Sequence, residues 1–254
     1  MRLSDRLRMV AGMVPPCEAV ADVGCDHAYL SVWLLREGRT NYAYACDVRK
    51  GPLAKAEETI RFFHMQERAE TVLCDGLAGL KPGAAQVIVM AGMGGELTNR
   101  ILAEGSECAR AAETLILQPQ SDRDLVRRRV YELGFVITDE QCVYEEGKYY
   151  VCMRADRRDA AERKAADGSC SCSGAEAETC ADDREYTDAE YLYGRILPRK
   201  KDMTYLAWLT EECAKKTAMV ERLTETDTAA AEERLASATA ELRELIDVMH
   251  KFGV

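Results

Sequence analysis

The sequence predicts an α/β fold in which a Rossmann-like sheet of seven strands is followed by a C-terminal coiled-coil hairpin of two α-helices. Residues 1–154 alternate short β-branched runs with amphipathic stretches, the pattern of a parallel sheet covered by helices. Residues 155–186 contain almost no large apolar residue, and beyond them apolar residues recur at helical spacing. These changes predict an α/β domain over 1–154, a flexible polar insertion or linker over 155–186, and a helical arm over 187–254.

Five strands are predicted to run in parallel, and two more to complete the sheet as an antiparallel hairpin. The first five are Ala19–Val23, Ala43–Asp47, Thr71–Cys74, Val87–Ala91 and Leu115–Gln118. The last two, Phe135–Val143 and Tyr149–Arg154, are joined by the polar run Glu145-Glu146-Gly147-Lys148, which favours a tight turn.

A helix is predicted before the first strand, and four others between later strands. The opening helix covers Ser4–Met13, with Ser4 as its N-cap. The others cover Ala28–Glu37, Pro52–His64, Glu96–Glu104 and Asp122–Leu133. At the last of these, Ser121 and Asp124 have the spacing of a capping box, and Gly134 suits the position after the helix end.

The C-terminal arm is predicted to begin at a second capping box, formed by Thr187 and Glu190. Two stretches then carry apolar residues at steps of three and four, namely Leu206, Leu209, Cys213, Val220 and Leu223, and later Leu235, Ala238, Leu242, Leu245 and Met249. This spacing predicts an antiparallel helical hairpin of coiled-coil type. Two roles stay open for it: dimerisation or stabilisation, and gripping of a substrate.

Composition excludes several protein classes. The 254 residues include 34 basic and 44 acidic side chains, a net charge of −10, which argues weakly against indiscriminate nucleic-acid binding but permits a local basic face. No apolar run approaches the roughly 20 residues that span a bilayer, and the N-terminus shows no apolar signal core. The eleven cysteines are therefore expected to be free thiols in a reducing cytoplasm.

The first chemical motif is the turn after the first strand, Val20-Ala-Asp-Val-Gly-Cys-Asp-His-Ala-Tyr-Leu30. Gly24 lets the backbone pass close to a ligand, but Asp26 and Ala28 stand where a dinucleotide-binding turn needs glycines. The carboxylates of Asp22 and Asp26 would repel a pyrophosphate and attract a cation. S-adenosylmethionine carries a sulfonium and an ammonium, so the turn favours that cofactor. A purely structural role for Asp22 stays open.

Two more carboxylates follow the next two strands. Asp47 ends the second strand, 25 residues after Asp22, at the position where an acidic residue accepts the ribose hydroxyls of an adenosine. Asp75, in Cys74-Asp-Gly76, is placed to hydrogen-bond an adenine amino group. Because open α/β sheets bind ligands at the carboxyl ends of their strands, three acidic residues at successive strand ends indicate one site.

The fourth strand runs into the glycine-rich segment Val87-Ile-Val-Met-Ala-Gly-Met-Gly-Gly95. Enzymes that methylate amino groups usually carry Asn or Asp, two prolines and an aromatic residue at this strand end. That signature is missing, so the backbone of Ala91–Gly95 is predicted to face the substrate, with Met93 as a flexible apolar contact. The alternative is that these glycines only permit tight packing of strand on helix.

Together these motifs resemble the bacterial tRNA (adenine(22)-N1)-methyltransferases, the TrmK family. The matching segments are 22–30, 47–53, 74–77, 91–95, Gln118-Pro-Gln120 and Glu146-Gly-Lys-Tyr-Tyr150, and the resemblance resumes from Tyr186 through the arm. It implies a class I methyltransferase sheet, S-adenosylmethionine and a tRNA substrate. The chain departs from the family at Cys25, where serine is more usual, and in the cysteine-containing insertion.

The resemblance and the motifs together give three sets of candidate residues. The cofactor-binding candidates are Asp22, Gly24, Asp26, His27, Asp47, Val48, Asp75, Gly76, Ala91 and Gly92. The catalytic candidates are Asp26, His27, Tyr29 and Met93, with Tyr29 as the platform for the target base. The substrate-binding candidates are Arg6, Gly94, Gly95, Arg199, Lys200 and Lys201. No metal site is expected, because His27 has no second histidine nearby.

Other assignments stay open at this point. A methyltransferase acting on a small molecule or a protein would keep the cofactor turn, and a non-catalytic scaffold would keep only RNA binding. Two further basic clusters, Arg127–Arg129 and Lys215–Lys216, are candidates for phosphate contacts, although most charge runs are solvated surface. No membrane or protein partner is expected, and the chain is predicted to be a monomer or a weak homodimer.

Overall fold

Seven strands form one mixed sheet in the computed structural model, which describes residues 1–159, 186–226 and 228–251. The strands are β1 (Cys17–Val23), β2 (Thr40–Asp47), β3 (Ala69–Leu73), β4 (Val87–Met93), β5 (Thr114–Pro119), β6 (Phe135–Glu145) and β7 (Lys148–Arg157). Their order across the sheet is β3-β2-β1-β4-β5-β7-β6. The first five run in parallel, whereas β7 is antiparallel to both β5 and β6. The predicted Rossmann-like sheet is confirmed.

Six helices accompany the sheet in the described residues before 160. They are α1 (Asp5–Met13), α2 (Tyr29–Arg36), α3 (Lys50–Phe62), α4 (Gly95–Glu104), α5 (Ser106–Ala111) and α6 (Arg123–Glu132). Ser4 caps α1 as predicted, since its side chain accepts a hydrogen bond from the Leu7 amide. Helix α5 was not predicted, because six residues are too few to show a helical period.

Strand order reverses between β1 and β4, which neighbour each other although β2 and β3 separate them in the chain. Such a switch point opens a crevice at the carboxyl ends of the strands, where open α/β sheets bind ligands. Val20, Val89 and Ile116 are fully buried on successive neighbouring strands, so this part of the sheet is rigid core. The crevice therefore lies beside a fixed scaffold.

Two details of residues 1–159 correct the sequence predictions. Ser121 and Asp124 form no capping box: Asp122 occupies the N-cap of α6 in a left-handed conformation with φ 46°, without a side-chain cap. The Ser121 hydroxyl instead accepts a hydrogen bond from the Gly95 amide at 3.2 Å. Residues 155–157, assigned to the insertion, belong to β7, whose Arg157 pairs with the first residue of β6.

The described residues form two compact units that divide between positions 182 and 183. The second contains α7 (Asp188–Tyr193), α8 (Ile196–Lys200), α9 (Met203–Thr224) and α10 (Ala229–Lys251). The capping box of Thr187 and Glu190 is present at the start of α7. Leu209 of α9 and Leu245 of α10 are fully buried where these two long helices pack together, which confirms the predicted hairpin.

Most of the predicted insertion, together with its cysteines Cys170, Cys172 and Cys180, lies outside the described residues. The eight cysteines that the structure does describe are free thiols. A search of the described helices finds none long and apolar enough to cross a membrane.

Candidate active site

The turn between β1 and α2 has an unusual backbone conformation. Gly24 has φ 77°, and Asp26 and Ala28 also adopt positive φ of 49° and 55°, which side chains rarely permit. The amides of Gly24 and Cys25 both donate to the carbonyl of Cys46, at 2.8 and 2.9 Å, which ties the turn to the end of β2. Two strained non-glycine residues held by such bonds are typical of a functional turn.

Asp22 lies at the end of β1 and is buried beneath this turn. Its Oδ2 accepts a 2.6 Å hydrogen bond from the Ser31 hydroxyl in the first turn and a half of α2. Burial raises the pKa of Asp22 to about 6, against a hydrogen bond from Ser31 that favours the charged form. Ser31 therefore supports the charged form of Asp22, and no sequence motif pointed to this residue.

Asp47 is buried at the end of β2, as predicted for a residue that binds ribose hydroxyls. Its Oδ1 accepts a hydrogen bond from the Arg49 amide at 2.9 Å. Its Oδ2 accepts none from the residues that the structure describes, so one carboxylate oxygen is available to a ligand. Val48, the next residue, is 60% exposed and presents an apolar surface beside that carboxylate.

Asp75 follows β3 on the surface and already has a partner. Both of its carboxylate oxygens accept hydrogen bonds from Arg100 of α4, at 3.0 and 3.2 Å. These bonds hold the pKa of Asp75 below its usual range. Gly76 beside it has φ 59°, and a side chain there would collide with Ile101. A ligand amino group at Asp75 would share the carboxylate with Arg100.

His27 and Tyr29 stack on each other at the mouth of the turn. Their rings are parallel within 1°, with centroids 5.4 Å apart, and Tyr29 is 46% exposed. His27 Nε2 lies 3.6 Å from an Asp26 carboxylate oxygen. The Tyr29 ring is stacked on His27 and partly exposed, which suits the predicted role of Tyr29 as a platform. No group of three metal-binding side chains occurs among the residues described.

The Met93 side chain, at the end of β4, packs against the turn after β1. Its Cε atom lies 3.0 Å from the position that a Cβ on Gly24 would take, so the thioether covers that glycine. Ala91 and Met93 are half-buried, and Gly92 between them is exposed. The structure therefore brings Gly24 and Met93 together, as the sequence predicted for two motifs of one site.

Arg6 also lies near the carboxyl ends of the strands, beside β4 and β5. Its Nη1 donates to Gln118 Oε1 at 3.0 Å, and its guanidinium lies 5.6 Å from the centroid of the Tyr150 ring. Gly92 borders it: a Cβ there would lie 3.3 Å from Arg6 Nη1. Gln118 and Tyr150 belong to motifs that carried the family resemblance, but they received no role in the sequence analysis.

Gly94 and Gly95 were predicted to bind substrate, and their surroundings show what each permits. Gly95 is buried at the start of α4, and a Cβ there would lie 2.5 Å from the Asp122 carbonyl oxygen. At Gly94 the nearest atom would be the Ser121 hydroxyl at 3.3 Å. Tight packing explains why residue 95 is glycine, which was the alternative to substrate binding. Residue 94 has room for a small side chain.

The basic clusters differ from one another. The phosphate role considered for Arg127 is wrong, since its side chain is 1% exposed and pairs with Glu140 at 2.8 Å. In the second unit, Lys215 and Lys216 pair with Glu212 and Glu241. Arg199, Lys200 and Lys201 lie at the end of α8, where Arg199 and Lys201 are exposed.

Comparison with known proteins gives consistent matches. Residues 3–153 match a family model described as a methyltransferase domain. A curated tRNA (adenine(22)-N(1))-methyltransferase of Bacillus subtilis is 30% identical over 225 residues, covering 89% of this chain and 87% of that protein. The solved B. subtilis M1A22 tRNA methyltransferase TrmK is 27% identical with a TM-score of 0.82, covering 97% of this chain and 98% of that one. A Streptococcus pneumoniae protein solved in complex with S-adenosyl-L-methionine is 25% identical with a TM-score of 0.79, covering 98% and 100%.

Proposed function

The chain belongs to the bacterial tRNA (adenine(22)-N1)-methyltransferases, the TrmK family, and from this membership we propose that it methylates N1 of adenine 22 in tRNA. The resemblance predicted from the sequence motifs is confirmed, and the protein is an S-adenosylmethionine-dependent enzyme. The observation that carries the proposal is the extent of the similarity, which covers the sheet with its carboxylates and the C-terminal helical hairpin.

The residues at the carboxyl ends of the strands fit S-adenosylmethionine chemically. Two adjacent ribose hydroxyls need a fixed acceptor, and the buried Asp47 offers an oxygen that is without a described partner. The carboxylates of the buried Asp22 and the exposed Asp26 would attract the two cationic groups of the cofactor. Gly24 has φ 77°, a conformation that strains any side chain, so glycine suits the point where the backbone would meet the cofactor.

When bound, S-adenosylmethionine supplies an electrophilic methyl group: a bond forms between adenine N1 and the methyl carbon, the carbon–sulfur bond breaks, and positive charge passes from sulfur to the adenine ring. Adenine N1 carries a free lone pair near neutral pH, so no residue has to remove a proton first. The chain's contribution is to orient the base, exclude water and stabilise the cationic product, for which Asp26 is the nearby carboxylate. His27 and Tyr29 would hold the base.

The tRNA must present its base outside the helical stack, because N1 lies on the Watson–Crick edge. A flat aromatic surface such as that of Tyr29 and His27 suits an extruded base. Arg199, Lys200 and Lys201 would contact phosphates of the tRNA backbone. We also propose that the enzyme works in the cytoplasm, where its tRNA substrate is found, and that it is a monomer or a weak homodimer.

The proposal is tested by measuring methyl transfer to unmodified tRNA and then mapping the methylated nucleotide. Purified protein is incubated with labelled S-adenosylmethionine and total tRNA from a strain lacking the modification, in parallel with protein and metabolite pools. Label should enter tRNA alone. Because a methyl group on N1 blocks base pairing, reverse transcription should stop one nucleotide before position 22. Asp47→Ala serves as the inactive control.

Each other outcome points to a different function. Label in the protein or metabolite pool, with none in tRNA, would contradict the tRNA assignment and support the small-molecule or protein alternative. Binding of tRNA without S-adenosylmethionine binding in calorimetry would support a non-catalytic scaffold. A stop at another position would keep the activity and overturn adenine 22.

A further inference from the structure

The carboxamide of Gln118 contains a buried donor that has no partner among the described residues. Gln118 is fully buried in β5, where it pairs in register with Ala91 of β4. Its Nε2 makes no hydrogen bond within the described part of the chain. A buried donor left unpaired costs about 1–3 kcal/mol, so this amide is a candidate for binding a ligand atom.

The orientation of this amide follows from its neighbour. A guanidinium carries only donors, so the atom of Gln118 that faces Arg6 at 3.0 Å must be the carbonyl oxygen, Oε1. The Nε2 donor therefore points away from Arg6. Arg6 is itself held in place, because the amides of Asp5 and Arg6 both donate to Glu145 Oε1, at 2.6 and 3.4 Å. The amide thus presents a donor and an acceptor in a fixed order.

Four residues from four elements meet here, and we call them the acceptor cluster: Arg6 of α1, Gly92 of β4, Gln118 of β5 and Tyr150 of β7. The carboxylates Asp47 and Asp75 lie at β2 and β3, on the other side of the switch point between β1 and β4. Arg6 and Tyr150 are half-buried, and Gln118 is fully buried beside Arg6. The cluster and the two carboxylates therefore lie on opposite sides of the switch point.

A carboxamide held in one orientation is a recognition group for a nucleobase. Gln pairs with adenine through two bonds, in which the amide nitrogen donates to N7 and the amide oxygen accepts from the N6 amino group. Oε1 has two lone pairs and gives one to Arg6, which leaves one for N6. Guanine would place its O6 against Oε1, two acceptors facing each other. This arrangement leaves N1 of adenine free.

We propose that Gln118 is the specificity-determining residue that binds the N6–N7 edge of the target adenine, with Nε2 donating to N7 and Oε1 accepting from N6. The proposal rests on the proposed function, since it needs adenine N1 as the methylated atom. It assigns adenine selection to a side chain that Arg6 orients. The Tyr150 ring lies under the Arg6 guanidinium and helps to hold it beside the amide.

Atomic replacement in the substrate tests the hydrogen bond to N7. Two tRNAs are prepared by ligation, one with adenine and one with 7-deazaadenine at position 22, and kcat/KM is measured for each. The ratio of the two values is compared between the wild type and Gln118→Met, which keeps the shape and loses both hydrogen bonds. The ratio of kcat/KM with adenine to kcat/KM with 7-deazaadenine should be about ten times larger for the wild type than for Gln118→Met. Any effect of the ring change on N1 reactivity is common to both enzymes and cancels.

Gln66→Met is the matched control, because Gln66 is exposed in the loop before β3, at the opposite edge of the sheet. It should keep the wild-type ratio. Calorimetric affinity for S-adenosylmethionine should be unchanged in Gln118→Met, which verifies that the variant is folded.

The outcomes separate this inference from the function on which it rests. Absence of N1-methyladenine with the wild type and adenine tRNA would contradict the proposed function itself. Normal wild-type activity with equal ratios in wild type and Gln118→Met would overturn the role of Gln118 and leave the function intact. Should the Met variant fail to bind the cofactor, Gln118→Glu replaces it, since it keeps the oxygen facing Arg6 and loses the donor.

Discussion

Arg127 and Glu140 form a buried ion pair between α6 and β6, with 2.8 Å from Arg127 Nη2 to Glu140 Oε1 and at most 1% of either side chain exposed. A second bond, from Arg127 Nε to the same oxygen at 3.1 Å, adds another charge-assisted contact to the pair. Such a pair is costly to break because the remaining charge stays buried.

Replacing one partner should therefore destabilise the first unit. Arg127→Met is expected to lower the free energy of unfolding by about 3–5 kcal/mol, whereas the double variant Arg127→Met/Glu140→Leu should recover most of the loss. Urea denaturation of both variants measures this. Equal destabilisation by the single and double replacements would show that the buried charge is not the cause.

Asp47→Ala should weaken S-adenosylmethionine binding, since two ribose hydroxyls would lose their buried acceptor. Unpaired hydroxyls cost about 1–3 kcal/mol, which corresponds to a loss of roughly 5- to 150-fold in affinity by calorimetry. Glu107→Ala, an exposed carboxylate on α5, is the control. Unchanged affinity in Asp47→Ala would remove that residue from the site.

The raised pKa of Asp22 predicts a pH-dependent stability. The pKa is about 6 in the folded protein against 3.8 ordinarily, so the folded state binds the proton more tightly, and its stability falls as pH rises through 6. Asp22→Asn should therefore stabilise the cofactor-free protein, by about 1 kcal/mol more at pH 8 than at pH 5. The same variant should lose cofactor affinity.

Melting curves of the wild type and Asp22→Asn at both pH values give the measurement. Asp247→Asn, an exposed acidic residue on α10, should show no such difference. A gain in melting temperature that is the same at pH 5 and pH 8 would refute the cause given for the shift.

Gly94 and Gly95 make a matched pair for separating packing from substrate binding. Gly95→Ala should destabilise the protein by about 2–3 kcal/mol, because its Cβ would meet the Ser121 and Asp122 carbonyl oxygens and main chain cannot yield cheaply. Gly94→Ala should have a much smaller effect on unfolding. If Gly95→Ala melts normally but loses activity, the original substrate-binding assignment is right.

The basic residues at the end of α8 should contribute to tRNA affinity. Replacing Arg199, Lys200 and Lys201 by Gln should weaken tRNA binding and lower the slope of log K against log salt concentration by up to about 2–3. The control is Lys215→Gln/Lys216→Gln, whose charges are already offset by Glu212 and Glu241. An unchanged salt slope in the triple variant would exclude these phosphate contacts.

Local sequence patterns predicted the sheet well, because buried β-branched runs such as Val87–Met90 have few alternatives to a strand. They also located Asp47, whose spacing from Asp22 reflects a β-α-β unit. They failed for Arg127, which looks like surface within a run of three arginines until β6 brings Glu140 to it.

The same limit applies to the acceptor cluster. Arg6 and Gln118 are 112 positions apart, and no local period connects them. Only the folded sheet shows that the guanidinium fixes the amide.

The acceptor cluster also has a consequence for biosynthesis. The carboxylates that would hold the methyl donor all come from residues 22–75, so that half of the site is encoded before a third of the chain has left the ribosome. Arg6 emerges first of all, yet its contacts with Gln118 and Tyr150 wait until β7 has been translated. Closing loops of more than a hundred residues is the slow part of reaching a native topology. The nascent chain would therefore carry the carboxylates for its methyl donor well before the contacts of the acceptor cluster can form.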